Sequence, residues 1–385
     1  MRRTLPALAA VIGCLLAPSV AAAYANSPRD AIVSLGDSYI SGEAGRWQGN
    51  SIDNTGDRSG TDRATICSLP LVCDTDISRV YVNGTDADGC HRSDVAEILA
   101  ADVPTDLKLN FACSGAETAN VFRGANGGQA FKGEPPQADQ LDFIAKARNV
   151  KLIVLSIGGN DLGFASIVQD CITAYLTFSP PCNTTHERPF NQQFVSVLGR
   201  VDKAIKDIRV VMNSNGYRGT PYRFVLQSYP SALPRASENR YAERDPLRSA
   251  GGGCPFYDSD SDWARDQIGP RISRGLWAVA RANNVQFLDL SNAFQGREFC
   301  SETSSLVGPS GTPGPPSSTT HEWTRFVNQG SLTQGEIQEL FHPNAFGQQA
   351  LARCLTLIWQ QTGPAYACNN QAGEGADAMQ ISAAG

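Results

Sequence analysis

Five short apolar runs rich in β-branched residues punctuate the chain: Ala31 to Leu35, Leu107 to Ala112, Leu152 to Ile157, Arg223 to Ser228 and Val285 to Leu290. Near-continuous hydrophobicity of this length, without alternation, is the pattern of strands buried on both faces. Between the runs lie stretches whose apolar residues recur at helical spacing. They are Ser93 to Asp102, with Ser93 as a possible cap, Gln137 to Ala147, Gln192 to Asn213, Asp262 to Asn283, and Ala345 to about Gln361. Strands alternating with helices predict an α/β fold, a parallel sheet covered on both faces. The segment from Gly42 to Gly89 is too long for a plain turn and is rich in Gly, Asp, Asn and Ser. Such an insertion at the carboxyl edge of a sheet is expected to shape a binding site. Gly308 to Ser318, with four prolines, reads as a loop. The pattern supports one domain over 26–369. Residues 370–385 carry no apolar periodicity and are expected to be disordered. No internal repeat is visible.

Composition narrows the class. The chain has 385 residues, 41% hydrophobic and 18% charged, with a net charge of −6. That fits a soluble protein with a large core and argues against nucleic acid as the partner, because phosphate binding needs a clustered basic surface. Arg2 and Arg3 precede a mostly apolar stretch from Leu5 to Val20, and small residues follow through Ala25. This predicts a secretion signal over 1–25, cut before Asn26 or Tyr24. No later run is long enough to span a bilayer, so no stable membrane insertion is expected. Val11-Ile12-Gly13-Cys14 resembles a bacterial lipoprotein box, but the apolar run continues as Leu15-Leu16-Ala17, which argues against a lipid on Cys14.

Of 11 cysteines, removal of Cys14 leaves 11 − 1 = 10, an even number that suggests disulfides in an exported chain. Pairing neighbours is the simplest of the schemes open: Cys67 with Cys73, Cys90 with Cys113, Cys171 with Cys182, Cys254 with Cys300, and Cys354 with Cys368. No CxxC pair occurs among them and only four histidines exist, so a zinc site is not expected. Asp258-Ser259-Asp260-Ser261-Asp262 starts like a calcium loop but has Trp263 and Gly269 where glycine and glutamate belong, which leaves a polar loop or helix start. Asn83-Gly84-Thr85 and Asn183-Thr184-Thr185 are glycan acceptors only in a host that glycosylates.

Candidate chemistry begins where the first run stops. Ile32-Val33-Ser34-Leu35 ends in Gly36-Asp37-Ser38, which delivers Ser38 to the carboxyl edge of the sheet, where open α/β folds place their sites. Alone, Ser38 reads as a turn serine capping a helix. His342 changes that reading, because it lies on a loop just before the last helix and imidazole can take and return a proton near neutrality. His91, His186 and His321 read as surface histidines. Gly115, after the second run, offers a backbone N–H that can approach a ligand closely. Asn160, after Gly158-Gly159, offers a side-chain amide. With the Ser38 N–H these make three donors for an oxyanion hole. Trp47 and Trp323, both in loops, are candidates to line a substrate groove.

The order of Gly36-Asp37-Ser38, Cys113-Ser114-Gly115, Gly158-Gly159-Asn160-Asp161 and Phe341-His342-Pro343 resembles the SGNH (GDSL-type) serine hydrolases. The resemblance spans nearly the whole mature chain and looks most similar to secreted actinobacterial and fungal esterases and lipases. It implies a three-layer α/β/α sandwich, flavodoxin-like, with strand order 2-1-3-4-5. It implies Ser38 as nucleophile, His342 as base, an oxyanion hole of Ser38, Gly115 and Asn160, and disulfides at Cys90–Cys113, Cys171–Cys182 and Cys254–Cys300. One position departs from the family pattern. The family places Asp three residues before the histidine, and here that residue is Glu339. Either its carboxylate or its backbone carbonyl would orient His342, as third member of a triad or as prop of a dyad. The expected protein is a secreted monomeric esterase or lipase acting on a small-molecule or lipid ester without a cofactor. The rivals are a carbohydrate acetyl esterase and a secreted binding module without catalysis.

Overall fold

The computed structural model describes residues 29–48, 65–69, 72–75, 78, 80–219, 221–306, 316–327 and 337–384, with backbone alone for 65–69 and 72–75. The expected signal segment, the side chains of Cys67 and Cys73, and most of the Gly308–Ser318 loop therefore lie outside the described residues. The strands are β1 (Asp30–Gly36), β2 (Thr65–Leu69), β3 (Val72–Thr75), β4 (Leu107–Asn110), β5 (Asn149–Ser156), β6 (Arg223–Gln227), β7 (Gln286–Asp289), β8 (Ala365–Asn369) and β9 (Gln380–Ala383). The central sheet runs β4-β1-β5-β6-β7-β8-β9, and β2 and β3 form a separate hairpin within the Gly42–Gly89 segment. Pairing is parallel from β4 through β8, and β9 closes the edge antiparallel. The five expected strands are β1 and β4 to β7, in the expected order 2-1-3-4-5.

The helices are α1 (Ser38–Ser41), α2 (Glu97–Ala100), α3 (Thr118–Val121), α4 (Gln137–Ala147), α5 (Phe164–Leu176), α6 (Asn183–Ser214), α7 (Pro246–Ala250), α8 (Asp258–Asp262), α9 (Gly269–Ala282) and α10 (Ala345–Trp359). A π-helical turn over Trp263–Ile268 joins α8 to α9. Strand residues alternate between two cores. Val33, Leu35, Ile153, Leu155 and Leu226 meet Leu141, Val201, Ile205 and Leu276 of α4, α6 and α9. Ile32, Leu152, Val154, Val225 and Leu288 meet Ile98, Leu351, Leu355 and Ile358 of α2 and α10. Apolar residues on both faces of each strand thus become the middle layer of a three-layer sandwich, as their unbroken hydrophobicity requires.

Several expectations are corrected. The Ser93–Asp102 helix shrinks to α2, and the Gln192–Asn213 helix begins earlier, at Asn183. The helix α5 was not anticipated, although Phe164, Ile167, Val168, Cys171, Ile172 and Tyr175 recur at helical spacing. The segment after Asn370 is ordered. Its β9 pairs with β8, and Ala376 and Met379 are buried against the α10 side. A few apolar residues without periodicity were enough, because an existing sheet edge supplied the partners. Four of the expected disulfides are present: Cys90–Cys113, Cys171–Cys182, Cys254–Cys300 and Cys354–Cys368. The last ties α10 to β8. Trp47 and Trp323 line no groove, since both are fully buried. His91 and His321 are buried as well, and His186 pairs with Asp170. Among the described residues no helix is long and apolar enough to cross a membrane.

A buried carboxyl under the sheet gives a stability test. Glu97 accepts a hydrogen bond from Gln227 Nε2 at 2.7 Å, and burial pushes its acid up to about 8. A group raised on folding stabilises the fold fully below its unfolded value and loses that contribution as pH rises through the folded value. The wild type should therefore lose thermal stability from about pH 5 to about pH 9. Glu97→Gln, which keeps the size without the charge, should melt near wild type at the lower pH and above it at the higher. Asp37 and Glu298, both raised to about 7 by burial, should leave a residual decline. Thermal melts at the two pH values check this, and equal slopes for both proteins would contradict it.

Candidate active site

The end of β1 is fixed before any chemistry is considered. Gly36 has φ +142°, and a Cβ there would lie 1.9 Å from the Ser156 carbonyl, so only glycine fits beside β5. Gln137 clamps this turn, accepting from Gly36 N at 2.7 Å and donating to Gly36 O at 2.8 Å. Asp37 caps α1 by accepting from Tyr39 N at 3.2 Å. Ser38 is then the first residue of α1, nearly buried, at the floor of a cavity of about 600 Å³.

His342 arrives from the other end of the chain. Asn344 caps α10, accepting from Phe346 N at 3.0 Å and Gly347 N at 3.2 Å, while its amide donates to Glu322 O. Phe341 has a left-handed backbone, φ +69°, held by its ring between Phe256 and Phe299 and by Phe341 N donating to Arg325 O. This over-determined turn aims the next side chain inward. His342 Nε2 lies 2.6 Å from Ser38 Oγ. Its Nδ1 lies 2.9 Å from the carbonyl oxygen of Leu340, which leaves Nε2 free to take the serine proton. The Tyr39 ring packs on the imidazole at 5.1 Å, and its hydroxyl donates to Phe341 O.

The two donor loops are stapled to each other. Gly115, at φ +83°, and Asn160 both line the cavity with Ser38. Asn160 Nδ2 donates to Ala116 O at 2.9 Å, which orients the amide and leaves one N–H for a ligand. Asp161 accepts from Thr118 N and Thr118 Oγ1, and Arg200 pairs with it. The Cys90–Cys113 disulfide anchors the Gly115 loop from behind. Ser38, His342, Gly115 and Asn160 thus line one cavity.

A family model described as the GDSL-like Lipase/Acylhydrolase family matches residues 78–350. The chain belongs to this family. The GDSL-like match begins beyond Ser38, so the pairing of Ser38 with His342 comes from the structure itself. No curated protein matches the sequence. Among solved structures, phospholipase A1 from Streptomyces albidoflavus NA297 is 19% identical with a TM-score of 0.51, over 86% of this chain and 100% of its own. An extracellular lipase from Streptomyces rimosus is 18% identical with a TM-score of 0.49, over the same shares. A carbohydrate acetylesterase from Sinorhizobium meliloti is 12% identical with a TM-score of 0.28, over 73% of this chain and 90% of its own.

Two features distinguish this GDSL-like site from the sequence reading. The first is Glu339. Its carboxylate turns away from His342 and accepts from Trp47 Nε1 at 2.7 Å and from Tyr81 OH at 2.9 Å. Burial raises its acid and the nearby Arg325 opposes that rise. Neither the Glu339 carboxylate nor its carbonyl meets the ring nitrogen. The prop is the carbonyl one residue later, because the longer acid finds better donors in the Trp47–Tyr81 pair. The second is a set of residues that sequence reasoning missed. Tyr229 donates to Asp37 and accepts from Gly159 N, joining the Ser38 turn to the Asn160 loop. Glu43 lies against Ser114 and His91. Only its place five residues after Ser38, in an otherwise small-residue turn, could have singled it out.

Glu339→Gln should therefore keep kcat within about tenfold of wild type on any ester the protein cleaves, since one decade is 1.4 kcal/mol and the imidazole keeps its prop. It should lower the melting temperature, because Arg325 loses a buried counter-charge. Steady-state kinetics and a thermal melt on the same sample check both. A loss beyond a hundredfold in a folded protein would place the Glu339 carboxylate back in a triad.

Proposed function

We propose that the protein is a secreted serine esterase that cleaves lipid or other acyl esters through an acyl-enzyme on Ser38. The observation that carries this reading is the 2.6 Å contact between Ser38 Oγ and His342 Nε2 at the floor of the cavity. His342 takes the Ser38 proton as Oγ attacks the ester carbonyl. The oxyanion is held by the N–H groups of Ser38 and Gly115 and by the free Asn160 N–H. Such donors contribute about 3 kcal/mol each to the transition state. His342 returns the proton to the leaving alcohol, and the same base then activates water for deacylation. The scheme needs no cofactor.

The lining favours an acyl chain over a sugar. Phe164, Val168, Ile172, Leu340 and Phe341 make the wall beside Ser38 apolar, and the new helix α5 supplies three of them. A second apolar chamber of about 150 Å³ opens behind Tyr39, Phe164, Tyr229 and Phe341. The four disulfides support export, because such bonds persist in oxidising compartments. That agrees with the leader read over 1–25.

Two measurements follow. Ser38→Ala should abolish ester hydrolysis in a folded protein, at a cost on the order of 10⁶ in kcat. A folded variant keeping a tenth of wild-type activity would remove Ser38 from the mechanism. On p-nitrophenyl esters from acetate to palmitate, kcat/KM should rise severalfold per methylene over the first few additions, since each buried CH₂ is worth about 0.8 kcal/mol. A maximum at acetate would point instead to an acetyl esterase.

A further inference from the structure

We propose that Glu43 supplies, from the nucleophile's side of the imidazole, the negative charge that a triad acid supplies from the other side. This rests on the Ser38–His342 reading. Among the described residues, His342 Nδ1 meets only the neutral carbonyl of Leu340. The imidazolium formed during acyl transfer therefore lacks a carboxylate where a triad places one. Glu43 is fully buried, with Oε2 4.0 Å from His342 Nε2. That separation is too long for a hydrogen bond but well within Coulomb range in a site sheltered from water.

The local structure places this carboxylate with care. Gly42 ends α1 at φ +89°, and the turn sends Glu43 back beneath Ser38. Glu43 Oε2 accepts from Ser114 Oγ, and Oε1 meets His91 Nδ1 at 2.8 Å. His91 is itself held by a left-handed backbone, φ +50°, by its N–H donating to Thr85 O, and by stacking on Tyr81 at 4.5 Å. Lys132 Nζ, which donates to Ser114 O, adds positive charge on the far side. Both Glu43 oxygens are thus engaged by other groups.

The separation decides the role. A carboxylate within hydrogen-bond reach of Nε2 would compete with Ser38 for the proton, and Glu43 Oε2 lies beyond that reach at 4.0 Å. Glu43 instead acts through charge alone and gains no proton at any step. The proton goes from Ser38 Oγ to His342 Nε2 and then to the leaving alcohol. Positive charge exists on His342 only during this interval, so the interaction favours the transition state over the ground state. The same carboxylate fixes Ser114, the residue before Gly115, and so ties the oxyanion loop to the base. Asp37 and Glu339, two further buried acids nearby, are committed to Tyr229 and to Trp47 with Tyr81.

Glu43→Gln, which can keep both hydrogen bonds, should lower kcat about 30- to 100-fold with KM within about threefold, because only the charged intermediate loses a partner. Ser114→Ala removes the loop contact but leaves the charge, and should lose less than about fivefold. Equal losses in the two variants would show that Glu43 only braces the loop, and a Glu43→Gln enzyme within threefold of wild type would overturn the proposal outright. Should Glu43→Gln not fold, Glu43→Asp decides. It keeps the charge and should retain at least about a fifth of wild-type kcat, whereas a folded Asp variant down more than about thirtyfold would refute a charge role. A wild type without ester turnover, or an active Ser38→Ala, would instead defeat the Ser38–His342 reading and leave Glu43 aside.

Discussion

A 2.6 Å hydrogen bond between side chains 304 residues apart is the constraint on which this site depends. Its tolerance is a few tenths of an ångström, so both ends must be held by structure stiffer than the bond itself. On the serine side the stiffness comes from β1, paired on both edges with β4 and β5, and from a glycine that alone fits against the Ser156 carbonyl. On the histidine side it comes from the Asn344 cap, the left-handed Phe341 between two aromatic rings, and a helix stitched to β8 by Cys354–Cys368. The middle of the chain builds the sheet that brings these ends together, and its loops supply the remaining donors.

Buried acids set the electrostatics around that bond. Asp37, Glu43 and Glu339 lie within one neighbourhood, and each is bound to donors other than the His342 ring. Burial lifts Asp37 to about 7 and raises Glu339. A carboxylate on Nδ1 would add a fourth demand for hydrogen-bond donors in this crowded space. A backbone carbonyl fixes the tautomer without adding a charge, which is the arrangement at Leu340. The charge that favours the imidazolium then comes through space from Glu43.

The strands were legible because parallel strands buried on both faces leave an unbroken apolar signature, and their order followed from the resemblance. The four candidate residues that line the cavity were legible because each stands where a strand or helix ends in small or capping residues. Less was visible where side chains decide among equivalent backbones. Glu339 held the family's position for a triad acid, yet one extra methylene and the presence of Trp47 and Tyr81 turned it elsewhere. Trp47 and Trp323 looked like loop aromatics, but their loops fold inward over Arg325 and Phe294. The ordered tail had no periodicity to read, since β9 takes its order from the edge of β8 and not from its own pattern.

The most direct test traps the proposed nucleophile, Ser38. A p-nitrophenyl alkylphosphonate reacts with an activated serine and leaves a stable adduct that mimics the tetrahedral intermediate. Peptide mapping by mass spectrometry would locate the adduct while residual ester hydrolysis is followed on the same sample. The account predicts one adduct per chain, on the peptide that carries Ser38, with activity lost in proportion to labelling. An adduct on another residue, or ester hydrolysis that survives complete labelling of Ser38, would contradict it.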